Sequence, residues 1–318
     1  MNIVEIKNDK YTAKINLSRG GNCISLYNSE WGAHILREPD YANLDNPFLY
    51  GMPILFPVNR ISGGKFLFEG REYHFPVNEP ETGCHLHGTL HQEPFLMESQ
   101  TENSIRCSYR SYGKYQTFPH DFKITLEYHV TEEGLVHTTT ITNLSDTNMP
   151  CLFGFHTTFS LPFIAETQPE HIYLQTEVSE EIERNMANYL PTGSLLSTDD
   201  ITSALKNGTF QPLKTKLSRH YHCAARQTKM VLYDSEKHLR VIYENDEKFD
   251  YRLIYNGDAN GFICLEPQNA FVNALNTALP DGLKGFDYIK PGESKVYHSK
   301  IILQKTDLSS HTRKCHAN

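Results

Sequence analysis

The feature that most constrains the fold is an alternation of period two. Phe122, Ile124, Leu126, Tyr128 and Val130 are spaced by polar residues. Successive side chains of an extended chain point to opposite faces, so this pattern buries one face of a strand and wets the other. A Glu-Glu-Gly turn and the threonine-rich run 136–143 follow, which reads as a hairpin. Runs 230–233 and 239–244 flank a polar Asp-Ser-Glu-Lys turn and read as a second hairpin. Runs 251–255 and 262–266 flank Asn256-Gly257-Asp258 and read as a third, and 296–304 reads as a closing strand. Many short strands separated by Gly, Asn and Pro turns predict an all-β fold, a large antiparallel β-sandwich.

Helix signals are few. Residues 199–207 are the best candidate, with Ser197 or Thr198 as caps and Gly208 as a stop, while the carboxylate-rich 177–186 is a short helix or a surface excursion. No internal repeat or linker-like break divides the chain, which predicts one domain over residues 1–304. The polar stretch 305–318 offers nothing to bury and is expected to fray.

Composition excludes several functions. A net charge of −8 and a pI near 6.0 argue against a nucleic-acid partner, whose phosphates call for a basic face. No apolar run approaches the ~18 residues of a membrane span, and the first residues lack the apolar core of a signal peptide. The 7 cysteines are widely spaced without a CxxC, so neither a disulfide framework nor a structural zinc site is expected; a reducing cytoplasm fits. Oligomeric state is not legible.

Three segments place polar side chains in apolar, extended surroundings. In PILFPVNRI (53–61) two prolines exclude a regular helix, and Arg60 follows an apolar run. Its guanidinium either presents donors to sugar hydroxyls or pairs with a carboxylate at a sheet edge. In LFGFHTTFSLPF (152–163) an extended chain puts Phe153, Phe155 and Phe159 on one face. Gly154, His156, Thr158 and Ser160 take the other, so His156 is either a proton donor beside a ligand or a structural imidazole. In FICLEPQNAFVNALN (262–276) Glu266 closes an apolar run and Pro267 holds it extended. That carboxylate is either a catalytic base or a solvated turn residue.

A fourth pattern, His85, His87, His91 and Glu93, hints at a metal centre of the cupin kind, since imidazoles two apart in a strand share a face. The second histidine motif of a cupin, with its PxG turn, is missing. Metal binding is accordingly not expected.

In this order the segments resemble the aldose 1-epimerase (galactose mutarotase-like) family. The resemblance runs from Trp31–Ala33 to about Gln304. It rests on PILFPVNRI with the following GGKFLFEGREYHF, on His87-Gly88, on FHTTF, on Leu190-Pro191-Thr192-Gly193 and on ICLEPQNAFVNALN. It implies a β-sandwich that interconverts the anomers of an aldose without cofactor or metal. Glu266 would be the general base and His156 the general acid, with Arg60 and His87 positioning the sugar. His220, Phe95, Gln268 and Arg219 are the further sugar-contacting positions it suggests.

Two departures stand out. The family's sugar-binding aspartate falls in the stretch Ser218-Arg219-His220-Tyr221-His222, where Arg219 replaces an acceptor by a donor. Such a donor suits a sugar acid or sugar phosphate. Its proline-tryptophan pair is Pro94-Phe95 here. A carbohydrate-binding protein without catalysis on the same fold is the competing reading.

Overall fold

The computed structural model describes residues 2–42, 46–224, 227–280, 282–283 and 285–306. Two eight-stranded antiparallel sheets dominate it, with a four-stranded sheet of Ile3–Lys7, Tyr11–Asn16, Asn22–Asn28 and Ala33–His34 at the N-terminal side. The expected hairpins are present. The first pairs Phe122↔Asn143 through Val130↔Leu135, the second pairs Lys229–Asp234 with Leu239–Asn245, and the third pairs Tyr251–Tyr255 with Phe262–Gln268. The closing strand, Ser294–Lys305, lies between Gly134–Asn143 and Leu239–Asn245 in the first large sheet.

The second large sheet carries the candidate site. Its spatial order is Pro191–Leu196, Glu181–Arg184, Ser218–His222, Tyr251–Tyr255, Phe262–Gln268, Gly154–Phe155 and Ile54–Leu55, with Thr157–Ser160 also pairing the Phe262–Gln268 strand. Alternation along 153–159 fixes which face meets the first large sheet. Phe153 packs on Tyr297 at 4.9 Å, Phe155 on His137 at 5.2 Å and Phe159 on Tyr243 at 5.5 Å. Gly154, His156 and Thr158 are thereby turned to the opposite face. One contiguous apolar core runs from Ile6 to Leu303, and a small separate cluster of Ile182, Tyr251, Phe271, Val272 and Ala274 lines the site side.

Three expectations need correction. Residues 177–186 form neither a helix nor a simple excursion, because Glu181–Arg184 joins the second sheet beside Ser218–His222. The α-helix is Asp200–Asn207, and its cap is Asp199, whose carboxylate accepts from the Thr202 N–H at 2.8 Å; Ser197 and Thr198 fall too early. Gly208 ends it at φ 73°, as anticipated. Lys305 does not fray: it ends the last strand, with its ammonium 4.7 Å from the Trp31 ring centroid, while 307–318 lies outside the described residues. Among the described residues no helix is long and apolar enough to cross a membrane.

Candidate active site

Strand register assembles the site. Gly154 stands opposite Gln268 and Thr157 opposite Leu265, so one register runs through the segment and sets His156 opposite Glu266. Glu266 is in turn opposite Leu253, and Leu253 opposite His220. Directly opposed residues of antiparallel strands share a face. His156, Glu266, Leu253 and His220 therefore form one row across four strands.

His156 and Glu266 meet at its end, with Nε2 and Oε1 3.2 Å apart and side chains only 9% and 1% exposed. Burial pushes the Glu266 carboxyl well above its ordinary 4.5, against the opposing pull of Arg184, Arg60 and the Gln268 amide. Burial likewise pushes the His156 imidazole down, to about 4. Both shifts have one cause, the expense of an ion in a dry environment. Burial thus favours the uncharged form of each, a carboxyl that keeps its proton beside an imidazole that takes up none, so the pair carries one titratable proton.

Neighbouring side chains fix the pair. Gln268 donates to Glu266 Oε2 at 3.3 Å, and its own Oε1 accepts from Asn59 Nδ2 at 3.0 Å. The Asn59 backbone N–H donates to His87 Nδ1 at 3.3 Å, which leaves the proton of a neutral His87 on Nε2. His87 is neutral because burial, together with His156 and Arg60, lowers its pKa well below 6.5. The backbone is specialised here too: Asn59, His87 and Gly88 have φ of 60°, 61° and 63°. A Cβ on Gly88 would sit 1.9 Å from the Phe56 carbonyl oxygen, so only glycine fits. The Phe48 ring covers the imidazoles, its centroid 4.9 Å from His87, 4.5 Å from His91 and 5.9 Å from His156.

Arg60 takes the carboxylate pairing that its sequence allowed. Nε and Nη2 each bond Glu79 at 2.6 Å, the edge pairing, which leaves Nη1 as the donor not spent on that carboxylate. Its guanidinium also lies 4.6 Å from the Tyr189 ring centroid.

Two predicted positions do not join the group. Arg219 is one residue out of phase with Ser218 and His220, so it points to the opposite face. There it is held by Glu181 and Asp199, both at 2.7 Å, tying the helix start to the sheet. Phe95 is buried in the core, 5.8 Å from Tyr109. The histidine run also separates. His85 Nδ1 bonds the Pro76 carbonyl at 2.8 Å and its ring packs on Phe75, away from His87. Among the described residues, the one trio of His, Cys, Asp or Glu ligand atoms within 4.8 Å of each other is His156, Cys264 and Glu266.

A model of the aldose 1-epimerase family matches residues 2–301. The chain belongs to the aldose 1-epimerase family. Among curated proteins it is 25% identical to the LacX protein, chromosomal form, of Lactococcus lactis subsp. lactis over 290 residues, 88% of this chain and 90% of that one. Among solved structures it resembles a galactose mutarotase-like protein of Clostridium acetobutylicum, with a TM-score of 0.88 and 26% identity over 96% of this chain and 95% of that one. A putative aldose 1-epimerase of Escherichia coli K12 shares the fold, with a TM-score of 0.79 and 18% identity over 96% of this chain and 99% of that one.

Sequence reasoning missed four side chains of this candidate site: Phe48, Asn59, Arg184 and Tyr189. Asn59 adjoins Arg60 in the segment already singled out and needed only the positive φ to be noticed. Arg184 was hidden because its segment carries few apolar residues. Its Nη2 donates to the Ser218 carbonyl, and its charge acts on Glu266 more strongly than any other.

Proposed function

We propose that this protein interconverts the α and β anomers of an aldose or aldose derivative by general acid–base ring opening, without a cofactor. The observation that carries the reading is the buried approach of His156 to Glu266, Nε2 to Oε1 at 3.2 Å, on the face of the sheet turned away from the first large sheet. The anomeric hydroxyl oxygen O1 and the ring oxygen O5 are both bonded to C1. An acid and a base standing side by side can therefore serve both.

Glu266 takes the O1 proton as His156 gives one to O5. The C1–O5 bond breaks, O1 becomes the aldehyde oxygen, and rotation about C1–C2 presents the other face of the carbonyl. Closure returns the O5 proton to His156 and a proton from Glu266 to O1. This step draws on the ionised form of the pair, which Arg184, Arg60 and the Gln268 amide favour and burial opposes. His87 Nε2–H and Arg60 Nη1 supply donors to the sugar oxygens. Positioned acid–base groups of this kind contribute about 10²–10⁴-fold.

All 6 described cysteines are free and buried, which suits a reducing compartment, and we place the protein in the cytoplasm. The test is polarimetry across a panel of aldoses, uronic acids and sugar phosphates. Anomer exchange above the spontaneous rate for at least one of them is expected. Sugar binding with no acceleration for any would replace the enzyme by a carbohydrate-binding protein.

A further inference from the structure

Arg184 ends the strand Glu181–Arg184, which pairs with Ser218–His222 through Glu181↔Tyr221. The hydrogen bond from Nη2 to the Ser218 carbonyl sets Arg184 beside Ser218, and its charge acts on both Glu266 and His220. Ser218 stands opposite Tyr255 and Tyr255 opposite Cys264, so Arg184 lies on the face of the sheet that carries Glu266. It is at the other end of the row from His156.

Its charge has no close counterpart. Arg60 is matched by Glu79 and Arg219 by Glu181 and Asp199, but no carboxylate among the described residues lies within 4.0 Å of Arg184. Arg60 and Arg184 flank the same Tyr189 ring, at 4.6 Å and 5.9 Å from its centroid. With Arg60 neutralised, one cationic charge remains there. Burial, with Arg60 adding to it, lowers the Arg184 pKa from 12.5, the mark of a cation short of solvent.

A second group points the same way. His220 is 0% exposed, and neither of its ring nitrogens has a hydrogen-bond partner. It occupies the row of His156, Glu266 and Leu253, and Arg184 is the charge that acts on it. Buried polar groups normally find partners, so two orphaned nitrogens beside an unmatched guanidinium describe a receptor. Two strand spacings, about 10 Å, separate the backbones of Glu266 and His220. That separation matches the length of a pyranose with its exocyclic substituent, which would set C1 at the acid–base pair and the far substituent toward His220 and Arg184.

We propose that Arg184 and His220 form a subsite for an anionic substituent, carboxylate or phosphate, so that the substrate is an acidic aldose. This rests on the mutarotase reading above. It moves the recognition of an anion from Arg219, which is already paired on the opposite face, to a different strand. The guanidinium offers Nε and Nη1, and an imidazole N–H adds a donor.

The experiment measures catalysed anomer exchange of glucose, glucuronate and glucose 6-phosphate by the wild type, Arg184→Met and Arg184→Lys. The wild type should prefer one of the two anions over glucose in kcat/KM by at least about tenfold, and which one it prefers separates carboxylate from phosphate. Arg184→Met should cut that preference by about 10–100-fold, the scale of hydrogen bonds to a charged group, and Arg184→Lys should restore part of it. Equal or better turnover of glucose by the wild type, or equal losses for all three sugars in Arg184→Met, overturns the subsite while leaving the mutarotase intact. If no sugar is accelerated the mutarotase reading fails, and titration calorimetry decides the subsite: binding of either anion that Arg184→Met weakens supports it, and its absence overturns it.

Discussion

His156 Nε2 and Glu266 Oε1 lie 3.2 Å apart at matching positions of neighbouring strands, so slipping either strand by one residue would send one side chain to the far face of the sheet. Their function as a unit follows from that register. His156→Asn and Glu266→Gln should each lower catalysed anomer exchange by about 10²–10⁴-fold. The double variant should be little worse than the poorer single one, because half of an acid–base pair has nothing to exchange with. NMR exchange spectroscopy on all three checks this; losses that multiply would separate the two residues.

The pH profile should be bell-shaped, with limbs that belong to the pair. Below about 4, where the His156 imidazole charges, the pair gains a second proton. At the alkaline side it loses its only proton as pH passes the raised value of Glu266. Between these limits one proton is present and exchange proceeds. An acid limb in kcat/KM near the 6.5 of an ordinary histidine would mean that a solvated imidazole, not this one, does the chemistry.

Glu266 should also cost stability. Its pKa in the folded chain is raised above 4.5, so the folded state holds the proton more tightly than the unfolded one. The associated stability is fully present below 4.5 and is lost as pH rises through the folded value. A glutamine has no such slope. Glu266→Gln is expected to melt above the wild type by a margin that widens from acidic to mildly alkaline pH; calorimetry showing a constant or shrinking margin contradicts this.

The path Asn59–Gln268–Glu266 should tune the carboxylate without carrying the reaction. Gln268→Leu removes the donor to Oε2, which stabilises the ionised form. We expect kcat to fall by about 10–100-fold, KM to change little, and the alkaline limb to move to higher pH. Asn59→Asp, which keeps the acceptor for the Arg60 N–H but removes the donor to Gln268 Oε1, should also move the alkaline limb to higher pH. An unmoved alkaline limb in Gln268→Leu would reduce this residue to a packing role.

Much of this was legible in the sequence because sheets encode facing in alternation. The even positions around His156 and the apolar run into Glu266 identified both strands, and the odd phenylalanines identified which side was core. What alternation does not encode is which strands are neighbours. Arg219 looked like the sugar-facing residue of its segment, yet the phase set by Ser218 and His220 turned it away to Glu181 and Asp199. Arg184, in a stretch too polar to resemble a strand, reached the site through pairing with Ser218–His222. Phe95 carried an aromatic ring into the core, where its own sequence neighbourhood gave no sign of depth. The His85 and His87 pair failed as a shared face because the strand Cys84–Leu86 ends before His87, whose φ of 61° breaks the alternation.

The most direct test of the central claim is NMR exchange spectroscopy on an accepted aldose with the wild type and Glu266→Gln, each at sugar concentrations where binding is confirmed by saturation transfer. The wild type should accelerate anomer interconversion, and the glutamine variant should bind the sugar yet leave the exchange at its spontaneous rate. Exchange by Glu266→Gln at the wild-type rate would contradict the account.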